Sequence, residues 1–307
     1  MTLLDEIRQA FANLEPSLQA DLSSLPPEHP GLAYRSWGSL GVCVPVARGT
    51  TVSESFAGAR LYSRAGRAGA TDDQLCFESD HGRLRNEFAA VCAQFLHPGV
   101  GGNDRQALVR DPAEWWRRWR QLLGNSSALR PSYAALGELL ALERLLAAGA
   151  QATWGGPAGA SYDIETPTGS YEVKSTVMRY GSVVHIAGQY QLLRPQSKPL
   201  YVIHQRFEPV PAGDSVDAIA SRLLANGVDA EELEASLAKA GLEKGCSARK
   251  ERYALLDSQR YVVDAGFPAI TPASFVGGTL PTGVTSLTYA VDLDTLTGEP
   301  FCAAGGP

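Results

Sequence analysis

The sequence predicts an α+β fold, and three observations carry that prediction. Apolar residues recur at helical spacing in several separate stretches, beginning with Leu4, Ile7, Phe11 and Leu14. Between them lie short runs rich in β-branched and aromatic residues, bounded by Gly, Pro, Asn and Asp. Finally, a helical stretch that is apolar nearly all round, 131–148, leads through a Gly/Pro connection into two strand-like runs and a buried-strand run at 198–207.

Composition sets the frame. The chain has 307 residues, 44% hydrophobic and 20% charged, which is the balance of a globular protein with one large or two ordinary domains. No stretch of 18 apolar residues occurs, so no membrane span is expected. The opening residues are amphipathic and acidic, unlike a secretory leader. Cys43, Cys76, Cys92, Cys246 and Cys302 are dispersed without CxxC spacing, and His29, His81, His97, His185 and His204 form no ligand pair. This pattern predicts reduced thiols, a cytoplasmic location and no zinc site. The net charge of −6 excludes a strong autonomous grip on nucleic acid, since phosphate binding is dominated by Lys and Arg.

In chain order, 1–17 reads as a helix, followed by a Pro-rich loop. Strand-like runs at 41–47, 59–64 and 74–79 predict a small antiparallel sheet, and 83–97 a helix stopped by Pro98 and Gly99. Gly101–Asp104 reads as a turn. Asp111 and Pro112 start another helix, with Trp115, Trp119 and Leu122 on one face and Arg117, Arg118 and Arg120 largely elsewhere; the spacing is what burial requires, and the alternative is a nucleic-acid contact with arginines on phosphate and tryptophans on bases. These elements form an N-terminal α+β module, 1–125, and the remainder, 126–307, a second domain with a C-terminal extension. Within that second domain, Glu138 stands inside the apolar helix 131–148, where an ionised carboxylate needs a partner or a metal. Later elements are a strand or helix start at 183–187, a short helix at 189–194, the strand 198–207, helices at 215–226 and 229–241, a strand with a break at 252–265 and a late strand at 284–296.

The stretch 161–178, SYDIETPTGSYEVKSTVM, carries the chemistry. Thr166, Pro167, Thr168 and Gly169 are turn residues. A hairpin closed there pairs Glu165 with Ser170 and Ile164 with Tyr171, and sets Asp163 opposite Glu172, with side chains about 5 Å apart. The period of two then brings Lys174 to the same face and turns Ile164, Tyr171 and Val173 into a core. Facing carboxylates call for a cation, and few oxygen ligands with open positions suit Mg2+. A nearby lysine can orient water or stabilise charge on a phosphate. The pattern therefore points to metal-assisted phosphodiester hydrolysis.

The ordered set Gly137-Glu138-Leu139-Leu140, Tyr162-Asp163-Ile164, Tyr171-Glu172-Val173-Lys174-Ser175-Thr176 and His185-Ile186 with Gln191-Leu192 resembles the PD-(D/E)XK nuclease superfamily. More narrowly, it is similar to the bacterial "PD-(D/E)XK motif protein" family of restriction and phage-defence operons. The resemblance implies a restriction-endonuclease-like core, a mixed central sheet flanked by helices. It implies that Asp163 and Glu172 hold Mg2+, with Mn2+ as a substitute, together with the backbone carbonyl of Val173. Lys174 would activate the attacking water, Glu138 would add a carboxylate directly or through water, and Gln191 would reach the site from a helix. It also implies DNA as substrate, companion ATPase or helicase-like and methyltransferase subunits, and a homodimer or two passes for a double-strand cut. Tyr162 stands where the motif's name places proline. A non-catalytic DNA-binding or scaffold subunit, a nuclease of RNA or single strands, and a regulatory protein are the competing readings.

Overall fold

The computed structural model describes residues 1–56, 58–66, 70–80, 82–122 and 131–301. His81, Cys302 and the Leu122 side chain lie outside what is described. The chain divides into two units, Met1–Ala128 with Glu243–Ser247, and Leu129–Leu242 with Ala248–Pro307.

The first unit begins with helix α1 (Leu3–Asn13). Thr2 and Asp5 form a capping box at its start, and its Ile7 and Phe11 are buried. Strands β1 (Gln19–Asp21), β2 (Leu32–Arg35), β3 (Leu40–Val46), β4 (Ser53–Phe56), β5 (Ala59–Arg64) and β6 (Asp73–Ser79) follow. They pair antiparallel in the order β1-β2-β3-β6-β5-β4. Helices α2 (Arg85–Leu96), α3 (Asn103–Arg110) and α4 (Pro112–Leu122) complete the unit. The segment expected to be only a turn opens α3, whose N-cap Gly102 is left-handed and whose Arg105 is buried, donating to the carbonyls of Pro30 and Leu96.

The tryptophans of α4 belong to this unit's core. Trp115 and Trp119 pack edge-on against Phe77, each at 5.2 Å between centroids, while Trp116 is the fully buried one. Arg117 and Arg118 both pair with Glu114. One expectation is overturned: Cys43 and Cys76 are not reduced thiols but a disulfide. They stand directly opposite each other on β3 and β6, a register that a sequence separation of 33 conceals. Cys92 and Cys246 are buried and stand outside any disulfide.

The second unit opens with α5 (Ser132–Ala147), then β7 (Thr153–Trp154), β8 (Ile164–Thr166), β9 (Gly169–Thr176) and β10 (Val183–Ala187). Strand β11 (Leu200–Asp214), helices α6 (Val216–Ala225) and α7 (Ala230–Lys239), and strands β12 (Tyr253–Val262), β13 (Thr288–Asp292) and β14 (Glu299–Pro300) follow. A mixed six-stranded sheet has the order β14-β12-β11-β9-β8-β7. Its β9 and β11 run parallel, and its other pairings are antiparallel. β10 and β13 form a separate antiparallel pair. Val184, Ile186, Val202 and Tyr261 share one core beneath that pair. This is an α+β fold with a restriction-endonuclease-like core. The helix expected at 189–194 is absent: the chain bends and turns there, after Gly188 at φ +88° and before Pro195. Among the described residues no helix is long and apolar enough to cross a membrane.

Candidate active site

The site grows from the β8–β9 hairpin. Ile164 pairs with Tyr171, Glu165 with Ser170 and Thr166 with Gly169, so the register is the one the turn residues dictate. The Thr166 hydroxyl closes the turn by donating to the Gly169 carbonyl at 2.9 Å. Ile164, Tyr171 and Val173 are buried as expected.

Asp163 sits just before β8, where the ladder opens. Its Oδ2 accepts from the Val173 amide at 2.8 Å, and its own carbonyl accepts from the amides of Gly155 and Gly156 at 3.0 and 3.2 Å. The aspartate is thus tied by backbone to both the connection before it and the strand beside it. Glu172, in mid-strand, is 3% exposed. Its Oε1 accepts from the Gln191 amide at 2.6 Å and meets the Lys174 ammonium at 2.9 Å. A buried carboxylate needs such partners, because desolvation penalises its charge. The two carboxylates that sequence reasoning left bare to one another are therefore already supported from within the protein, Asp163 by a backbone N–H and Glu172 by an ammonium and an amide.

Gln191 reaches the site, but from a turn. Its Oε1 accepts from the Ala187 amide at 2.8 Å, which points the Nε2 end at Glu172. Tyr162 anchors the same turn by donating to the Leu193 carbonyl. Burial, reinforced by the charges of Glu165 and Glu172, raises the pKa of the Tyr162 phenol and keeps it a donor. Glu138 is fully buried on α5, and the Trp154 indole donates to its Oε2 at 2.8 Å.

Gly156 tests whether a cation has room. A Cβ at that position would come within 2.7 Å of Asp163 Oδ1 and 3.3 Å of Glu138 Oε2. The backbone thus keeps the space beside these two carboxylate oxygens clear of side chain, and the donors suit a hard cation. Among the described residues no group of three or more His, Cys, Asp or Glu is arranged to hold a metal alone. The fit is to the sparse Mg2+ mode, one or two carboxylates with water and phosphate supplying the rest.

Other candidates fall away. Glu165 is held by Lys198 and by the Ser170 hydroxyl. His185 is exposed on β10. The Ser175 hydroxyl lies under Gly137 of α5, next to Gln205, and Thr176 accepts from the Met178 amide. Trp154, Gly156 and Tyr162 were missed as site residues. The signal for Trp154 is its place opposite Ile164 across β7–β8, which appears only once that pairing exists.

A family model described as "Putative PD-(D/E)XK family member, (DUF4420)" matches residues 58–294 of the 307. No curated protein and no solved structure matches the chain.

Proposed function

The chain belongs to the PD-(D/E)XK family, and from that premise we propose that it is a Mg2+-dependent endonuclease that hydrolyses DNA phosphodiester bonds. The observation that carries the proposal is the Lys174–Glu172–Gln191 chain of contacts, set on the strand whose neighbour presents Asp163. Asp163 and Glu172 would hold the cation with the Val173 carbonyl, and Glu138 would add a carboxylate through water. Bound there, Mg2+ supplies Lewis-acid stabilisation of phosphate oxygens and a more acidic water.

The protein's own groups do the rest. Glu172 holds the Lys174 ammonium in place, so that it faces a phosphate as a fixed positive charge and fixes the orientation of the attacking water. Gln191 holds the Glu172 carboxylate in one rotamer. The Val173 amide does the same for Asp163, and Trp154 for Glu138.

The net charge of −6 supports a subunit that takes part of its grip on DNA from companions. A bacterial restriction or anti-phage system with ATPase or helicase-like and methyltransferase subunits is the setting the family resemblance implies. One site per chain cuts one strand, so a double-strand break requires a homodimer or two passes. A cytoplasmic location follows from the substrate, since the disulfide removes the cysteine argument. The test is cleavage of plasmid and single-stranded DNA by the full chain, with Mg2+, Mn2+ or EDTA, and with or without ATP. Metal-dependent nicking or cutting that EDTA stops is the expected result. No cleavage of any substrate in Mg2+ or Mn2+, with companions present, would rule the proposal out.

A further inference from the structure

Large apolar side chains crowd the chain around the site. Val177, Met178, Tyr180, Val183, Tyr190 and Leu193 are 37, 66, 81, 51, 61 and 40% exposed. Tyr180 and Tyr190 are the large exposed aromatics among the described residues of this unit. Such clustering on a soluble surface marks a binding site.

Two ties fix Tyr190 at the rim of the site. The next residue, Gln191, donates to Glu172 at 2.6 Å, and three residues on, the Leu193 carbonyl accepts from Tyr162, the neighbour of Asp163. The strand that bears Lys174 runs on into 177–180, and Arg206 of β11 holds the end of that turn through the Gly181 carbonyl and the Ser182 hydroxyl, both at 3.1 Å. Beyond Leu193 lies an open groove of about 660 Å3, whose lining includes Arg194, Lys198, Phe267 and Asp264.

We infer, on the basis of the nuclease reading above, that this rim takes unstacked bases and that the substrate is single-stranded, or locally opened, at the cut. A duplex shows phosphates outward and bases inward, so an aromatic rim gains little from it. The cations that would grip a duplex backbone are few. Arg179 is paired with Glu208 and Lys198 with Glu165, and Asp264 opposes a run of phosphates in the groove. Arg194, with Lys174 in the site, remains for backbone contacts. Base stacking on aromatics supplies affinity that does not depend on charge, and it tolerates any sequence.

The experiment measures anisotropy of labelled oligonucleotides with the full chain in EDTA, using single strands, gapped duplexes and intact duplexes, with 2-aminopurine fluorescence reporting stacking. Single and gapped strands should bind at least about tenfold tighter than duplex. With about two phosphate contacts, affinity should fall less than about tenfold between 50 and 200 mM salt. Tyr190→Ala should weaken single-strand binding about tenfold or more and restore 2-aminopurine emission, whereas Tyr190→Phe should not. Duplex bound as well as single strand, or Tyr190→Ala without effect, overturns the inference; if Mg2+-dependent cleavage of duplex persists in that variant, the nuclease reading survives alone. Concentration-dependent dimerisation that buries the rim, with no oligonucleotide bound, assigns it to a protein partner and overturns the inference as well.

Discussion

At the scale of single residues, the site is a set of carboxylates, each held by a different kind of donor. Gln191 touches Glu172, and under the proposed function it acts as a positioning residue. Partners of metal-binding groups are worth about 10–100-fold in affinity or activity. Gln191→Ala should therefore weaken Mg2+ dependence by that factor while the thermal midpoint changes little, as read by titrating metal in a cleavage assay. Calorimetry with Mg2+ or Mn2+ should give a binding signal for wild type that Asp163→Ala loses; equal signals would remove Asp163 as a ligand. Glu138 is buried and takes a hydrogen bond from Trp154. Trp154→Phe keeps the ring but deletes the donor, and it should cost about 1–3 kcal/mol in chemical denaturation, the penalty for a buried acceptor deprived of that donor.

At the scale of elements, the hairpin was legible because a turn of Thr, Pro, Thr and Gly leaves few registers, and the period of two does the rest. The helix α5 was legible because it is apolar on nearly every side. What sequence could not show depends on distant pairing: the Cys43–Cys76 register, the short edge strands β1 and β4, and the indole that β7 brings to Glu138. The turn holding Gln191 differs from the helix expected at 189–194 because Gly188, at φ +88°, and Pro195 bound a stretch too short to sustain one. The close approach of α5 to the sheet is also a matter of elements. A Cβ on Gly137 would lie 2.1 Å from Ser175 Oγ and 2.5 Å from Gln205 Oε1. Gly137→Ala should push α5 away from the sheet, with about 1–3 kcal/mol lost and Glu138 displaced, so that activity falls beyond the stability loss. Strand β11 adds a pH effect. Burial, with Arg206 adding to it, lowers the pKa of His204 against the opposing charges of Asp257 and Asp294. The unfolded imidazole takes up a proton near pH 6.5, while the folded one does so only at lower pH. The stability linked to this group is complete above about pH 6.5 and is lost as pH falls toward the folded value. The drop in thermal midpoint from pH 7 to 5.5 should be smaller in His204→Gln than in wild type.

At the scale of the whole molecule, the two units divide the chemistry. The α4 tryptophans and the disulfide belong to the first, where they build a core and link two strands. The second carries every residue proposed to act on a phosphodiester, and the family model covers nearly all of it along with much of the first. The net charge of −6 is a property of the entire chain, and it opposes a strong autonomous grip on a long polyanion. The central claim is that the metal-and-lysine hairpin performs hydrolysis. The measurement that tests it most directly is the single-turnover rate of DNA cleavage at saturating Mg2+ for wild type and Lys174→Ala, both shown to be folded by thermal denaturation. A loss of about 100-fold or more in the variant is the predicted result. Equal rates would contradict it.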